Sequence, residues 1–206
     1  MSAGLIVMHP QGMVIIADSR KMRGCEIVSD RSRKVFVFER VVVLHVGYAG
    51  LEGELEALMF RLEIRAKEWD AQSLAWKLLE EAEQIWGERL GKTEPVLFFV
   101  CDVVERVKRC YRVEVSQHER SVEGWTMKYE RMVKTVAVGD ETFQNLVMQT
   151  RLMEGAADLH EVVRRGRFAV EEAGRWVEMR DGWTSFGGEC QTAVILNTGT
   201  VIYPAG

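Results

Sequence analysis

Residues 2–18, SAGLIVMHPQGMVIIAD, read as two short strands and the turn that joins them. Gly4–Met8 and Met13–Ala17 are apolar runs of strand length, and His9-Pro10-Gln11-Gly12 between them is rich in turn formers. Asp18 ends the second run. Lys34 opens a third strand, Val35–Phe38, and Glu39-Arg40 turns it into a fourth, Val41–Val46. Ala49-Gly50 then closes that strand and starts a helix. In an up-down antiparallel series, the starts of strands one and three share an edge with the ends of strands two and four. The spacing therefore predicts that Ser2, Asp18, Lys34 and Gly50 meet at one edge. A hydroxyl, a carboxylate, an ammonium and a glycine amide gathered there have the makings of an active site.

Past Gly50 the hydrophobic period changes. Leu51, Leu55, Leu58, Met59 and Leu62 fall at helical spacing, as do Leu74, Leu78, Leu79, Ala82 and Ile85. Two amphipathic helices are predicted, Leu51–Glu68 and Gln72–Leu90. Pro95–Val104 and Val107–Ser116 read as a hairpin, with further short strands at Thr126–Tyr129 and Thr135–Val138. A second helix pair is predicted over Thr142–Glu154 and Ala156–Arg175, and a closing hairpin over Gln191–Asn197 and Val201–Tyr203. Strands that grow as hairpins argue for an α+β fold. The expectation is one domain over 1–206, with two antiparallel sheets face to face and a helix pair outside each.

Composition narrows the function. The chain has 206 residues, 47% hydrophobic, with a net charge of −4. That balance gives no basic field for nucleic acid or an anionic membrane surface. No apolar run reaches the roughly 20 residues of a membrane span, and Gly4–Met8 is too short for a signal peptide. A cytoplasmic location is expected. Cys25, Cys101, Cys110 and Cys190 lack metal-ligand spacing and read as reduced thiols; His9, His45, His118 and His160 are equally scattered. No metal and no cofactor are expected.

A serine hydroxyl needs a base to become a nucleophile. Once Met1 is removed, Ser2 carries one of its own, an α-amine with a pKa of about 8. Lys34 would add positive charge beside the hydroxyl, and Asp18 would hold Lys34 by a charge-assisted hydrogen bond. The Gly50 amide, at a helix N-terminus, would face the developing oxyanion.

These residues resemble the proteasome β-type subunits and their bacterial homologues, which are N-terminal-nucleophile hydrolases. GMVIIADSR (Gly12–Arg20) resembles the family's second strand, and the spacing from Ser2 to Asp18 to Lys34 matches without a gap. VGYAGLEGE (Val46–Glu54), AVGDE (Ala137–Glu141) and RDGWTSFGG (Arg180–Gly188) resemble its later segments, in order. The resemblance implies a four-layer α-β-β-α sandwich. It implies homo-oligomeric rings, hexameric or heptameric and stacked, that enclose the sites and take peptide or unfolded-protein substrates. No ATPase or activator partner is assigned. It adds Asp140, Asp181 and Ser185 to the catalytic set. It places Lys21, Ser32, Phe36, Tyr48, Glu52 and Glu56 around the pocket, with substrate lying as a strand between Met22 and Gly50. Ser2 stands where the family usually has threonine. Asp140 stands where it has a serine near the terminal amine.

Three functions follow. The first is a serine-type N-terminal-nucleophile peptidase in a ring. The second is a catalytically silent ring or scaffold protein that keeps Met1. The third is an amidase for small molecules.

Overall fold

The computed structural model describes residues 2–23, 26–47, 52–65, 69–86, 95–116, 119–128, 133–182, 184 and 186–203. Strands β1 (Ala3–His9) and β2 (Gly12–Ala17) form the opening hairpin, paired from Gly4↔Ala17 to His9↔Gly12. Every residue of both strands is buried, so both faces of the hairpin are covered. That explains their unbroken apolar composition, since a half-exposed strand would alternate. A short hairpin follows, β3 (Lys21–Arg23) with β4 (Glu26–Ser29), and then β5 (Val35–Phe38) with β6 (Val41–Val46). Helices α1 (Glu52–Glu63) and α2 (Ala71–Trp86) lead to β7 (Val96–Val104), β8 (Val107–Val115) and β9 (Arg120–Met127). The chain ends with β10 (Lys134–Gly139), α3 (Glu141–Gln149), α4 (Leu159–Asp181), β11 (Gln191–Leu196) and β12 (Val201–Ile202).

The strands form three antiparallel sheets. One runs β10-β1-β2-β11-β12, one is the β3-β4 pair, and one runs β5-β6-β7-β8-β9. Ile6, Met8, Met13 and Ile15 of the first sheet share a buried cluster with Val42, Leu44, Phe99 and Cys101 of the third. Leu58, Leu62, Leu74 and Leu78 of α1 and α2 bury Val43, Phe98 and Val113 on the other side of the third sheet. Phe143, Val162, Val170 and Ala173 of α3 and α4 bury Leu5, Val14 and Ile16.

The expected fold class is corrected here. The described residues make twelve strands in three antiparallel sheets with four helices, about 40% strand and 33% helix. This is a mostly β chain and not a four-layer α-β-β-α sandwich of the N-terminal-nucleophile type. Two segments account for much of the added strand. The β3-β4 hairpin lies in a stretch too short and too exposed to show an apolar alternation; Glu26, Ile27 and Val28 all face water. Strand β9 begins at Arg120, earlier than Thr126, because it is an edge strand held by its ladder to β8. Its Arg120 and Glu123 suit such an edge, where charge discourages further pairing. Among the described residues, no helix is long and apolar enough to cross a membrane.

One glycine decides how the chain start is seated. Gly139 pairs with Ala3 at a φ of +106°, and a Cβ built there would fall 1.6 Å from the Ser2 carbonyl oxygen. Gly53, in the first turn of α1, has nothing within 4 Å of such a Cβ. Gly139→Ala should therefore lower the unfolding free energy by about 2–4 kcal/mol. Gly53→Ala should raise it by about 0.4–1 kcal/mol. Urea unfolding of both variants checks this, and equal effects would contradict the placement of Ser2 against β10.

Candidate active site

Asp18 follows β2 directly and is wholly buried. Its backbone N–H donates to the Ala3 carbonyl at 3.0 Å, which adds a rung to the β1-β2 ladder. Its carboxylate turns back on the same residue: Oδ1 accepts from Ala3 N at 2.8 Å and from Lys34 Nζ at 2.8 Å. Oδ2 accepts from Arg20 N at 3.1 Å and Gly187 N at 3.1 Å. Lys34 Nζ makes a second bond, to the Arg20 carbonyl at 2.8 Å. The Ser2 carbonyl accepts from Asp140 N at 3.0 Å. The peptide that follows Ser2 is thus held at both its oxygen and its nitrogen. Lys34 Nζ lies within two hydrogen-bond lengths of that nitrogen, through one shared oxygen. Ser2 itself is 5% exposed and Lys34 6%.

The site draws on more of the chain than the four strand ends. Ser19 N and Arg20 N both donate to the Gly187 carbonyl, at 3.0 and 2.9 Å, while Gly187 N returns to Asp18. Arg20 pairs with Asp30 at 2.7 Å, and Ser32 N donates to the Ser19 carbonyl at 2.9 Å. The Gln191 side chain bonds to Ser32, Lys34 and Val35. His45 lies opposite Lys34, its N–H donating to the Lys34 carbonyl at 2.8 Å, with its ring 5.3 Å from that of Phe98. Gln191 and His45 carry no sequence signal of a site role. One stands at a strand start and the other inside an apolar strand, places where a polar residue has ordinary uses. The Gly187-Gly188 pair was the one visible mark of a tight approach.

The structure brings together Ser2, Asp18 and Lys34 and places Asp140 beside them through its backbone. The Asp140 carboxylate is otherwise engaged: it caps α3, accepting from Thr142 N at 2.8 Å and Phe143 N at 3.4 Å. Asp181 ends α4 in an exposed pair with Arg180, at 2.6 Å, and the Arg180 guanidinium also donates to Thr142 Oγ1 at 3.4 Å, next to the Asp140 cap of α3. Gly50, Tyr48 and Ser185 lie outside the described residues, as does the side chain of Glu52, the first residue of α1. Of the other pocket residues, Lys21 and Met22 are half-buried on β3, and Glu56 is exposed on α1. Phe36 is buried against the α1-α2 cluster beneath the Arg33 guanidinium, 4.9 Å from its ring. Ser32 Oγ is buried and has no hydrogen-bond partner among the described residues. Among the described residues, no group of three His, Cys, Asp or Glu is placed to hold a metal ion. A cleft of about 490 Å³ bounded by Thr126, Lys134, Val147 and Met153 lies at the opposite end of β10 and contains none of these residues.

Burial dominates the electrostatics. It holds the Lys34 ammonium below the ordinary lysine range, and the charge of Arg20 pushes the same way; Asp18 opposes both by its charge and its hydrogen bond. His45 is lowered too, from 6.5 to about 3, through burial and then the Lys34 charge. Burial pushes the Cys190 thiol up to about 12, which leaves it unreactive. The arrangement can therefore keep one cation fixed, in a poorly hydrated place, next to the residue that begins the fold.

His45 makes stability depend on pH. The unfolded chain binds its proton near 6.5, the folded chain only near about 3. Between those values the unfolded state holds the extra proton, so stability falls as pH falls. From pH 7 to about pH 4 this one group should remove about 3 kcal/mol of stability. His45→Gln should lose correspondingly less over the same interval in urea unfolding. Equal acid sensitivity in both proteins would contradict a buried neutral His45.

No protein-family model matches the chain, and a search of curated proteins finds no match.

Proposed function

We propose that the chain is a serine-type N-terminal-nucleophile hydrolase acting on peptide bonds. The observation that carries this reading is the Asp18 oxygen shared by Lys34 Nζ and Ala3 N, which fixes a buried cation beside Ser2. An ammonium has three N–H donors. Among the described residues two go to Asp18 and the Arg20 carbonyl, which leaves the third to serve the Ser2 hydroxyl oxygen. With Met1 removed, the Ser2 α-amine takes the hydroxyl proton, and the oxygen attacks the scissile carbonyl. The tetrahedral adduct collapses to an ester on Ser2 as the amine returns that proton to the leaving nitrogen. Water, deprotonated by the same amine, then releases the acid. Lys34 lowers the cost of negative charge on the Ser2 oxygen throughout. Asp18 is a positioning residue, since it acts through Lys34.

This activity suits a cytoplasmic, self-compartmentalised ring, in which only unfolded segments reach the site. One observation favours the silent scaffold instead: Ser2 is only 5% exposed. Hydrolysis of a panel of fluorogenic peptides separates the two readings. Ser2→Ala should abolish turnover with the assembled mass unchanged. Lys34→Ala should lower kcat by about 10²–10³-fold. Wild-type rates in Ser2→Ala, or no turnover in a wild-type protein shown to lack Met1, would overturn the proposal.

A further inference from the structure

Lys34 is held by more than its charge. The strand it introduces, β5, is the edge of the third sheet, so among the described residues its outer side has no neighbouring strand. At the Lys34 end a side chain from another sheet takes that part. Gln191 begins β11 in the first sheet, directly opposite Ala17 and one residue from Asp18. Its Oε1 accepts from two successive amides, Lys34 N at 2.8 Å and Val35 N at 3.1 Å. Its Nε2 donates to the Ser32 carbonyl at 2.7 Å. This pattern fixes the orientation of the amide, because a flipped group would set NH₂ against two donors and a carbonyl against a carbonyl. Lys34 is thus clamped at three points: its N by Gln191, its carbonyl by His45 N, and its Nζ by Asp18. The first clamp comes from β11 and the third from the residue that follows β2, the strand paired with β11.

We infer that Gln191 is a positioning residue for Lys34: it sets the backbone from which the ammonium reaches Ser2. The inference rests on the hydrolase reading for its effect on rate, though not for its geometry. A lysine side chain turns about four bonds. If its Cα drifts, the Asp18 bond can follow, but the third N–H then leaves the direction of the hydroxyl. Asp18 and the Arg20 carbonyl hold the head of the side chain, and Gln191 holds the backbone from which it extends, so that all three N–H directions keep their place. A displacement of about 1 Å at such a distance can cost about 10²-fold in rate. Substrate binding is not expected to change, because Gln191 contacts the enzyme's own backbone.

The test compares Gln191→Met, which keeps length but no hydrogen bonds, with Gln191→Glu, which keeps the acceptor for both amides. Three readouts apply: amide hydrogen exchange, peptide kinetics and the NMR titration of Lys34. In Gln191→Met, the Lys34 and Val35 amides should exchange at least about tenfold faster, while Leu5 and Ile16 in the β1-β2 ladder stay unchanged. Its kcat should fall by about 10²-fold with KM within about twofold. Gln191→Glu should recover most of the lost kcat. Lys34, loosened toward water in Gln191→Met, should titrate closer to an ordinary lysine. Faster exchange with unchanged kcat would reduce Gln191 to a structural brace and overturn the inference, as would lost kcat with unchanged exchange. If the wild-type chain proves inactive, the hydrolase reading fails by itself. The exchange and titration then decide the geometry: a Lys34 titration unmoved by Gln191→Met would overturn it, and a shifted one would sustain it. Should Gln191→Met not fold, the exchange and titration of Gln191→Glu decide alone. Amides protected as in wild type, with Lys34 raised by the added carboxylate, support the clamp; amides that exchange faster, or a Lys34 titration left unmoved, overturn it.

Discussion

Asp18 and Lys34 form an ion pair from which water is almost wholly excluded, 0% and 6% exposed. Such a pair is costly unless the remaining polar atoms also find partners. Here they do. The carboxylate takes four donors, from Ala3, Arg20, Lys34 and Gly187, and the ammonium a second acceptor in the Arg20 carbonyl. These groups come from the start of β1, the end of β2, the approach to β5 and the loop before β11. Satisfying one buried charge therefore brings four distant segments to one end of the molecule. The third sheet can meet the first at that end only in a register that brings Lys34 to Asp18.

The same constraint shapes the chemistry. A lysine in water is a hydrated point charge with little to offer a neighbour. Buried between two sheet ends, with its bonds directed, it becomes a fixed field beside Ser2. The seat of Ser2 is equally determined, since its carbonyl is held by Asp140 N and the following amide by Asp18. Gly139 makes this possible by letting β10 pass within contact of the Ser2 carbonyl, where any side chain would collide. His45 is held neutral first by its burial and then by the charge of Lys34 beside it.

Strand directions in one up-down series led to the expectation that Ser2, Asp18 and Lys34 share an edge; Asp18 does meet Lys34 and the amide after Ser2, but across two sheets, with β1 and β2 in one and β5 in the other. The sheet count was not legible, because β3 and β4 are short, exposed and held by their own pairing. Asp140 shows a limit of another kind. A carboxylate before a helix serves equally as an N-cap, and the sequence does not say which use prevails. The end of α4 was also misjudged: the helix runs past Arg175 to Asp181, because its buried positions continue through Val177. Gln191 was invisible because its work is entirely with backbone atoms, which no side-chain pattern reports.

The central claim is that Ser2 acts as a nucleophile with its own free amine beside Lys34. The most direct measurement is intact-protein mass spectrometry before and after exposure to a peptide epoxyketone, which closes a ring using both a terminal hydroxyl and the adjacent amine. A chain lacking Met1 that gains one adduct, lost in Ser2→Ala and slowed in Lys34→Ala, is the expected result. A chain that retains Met1 and gains no adduct would contradict the account.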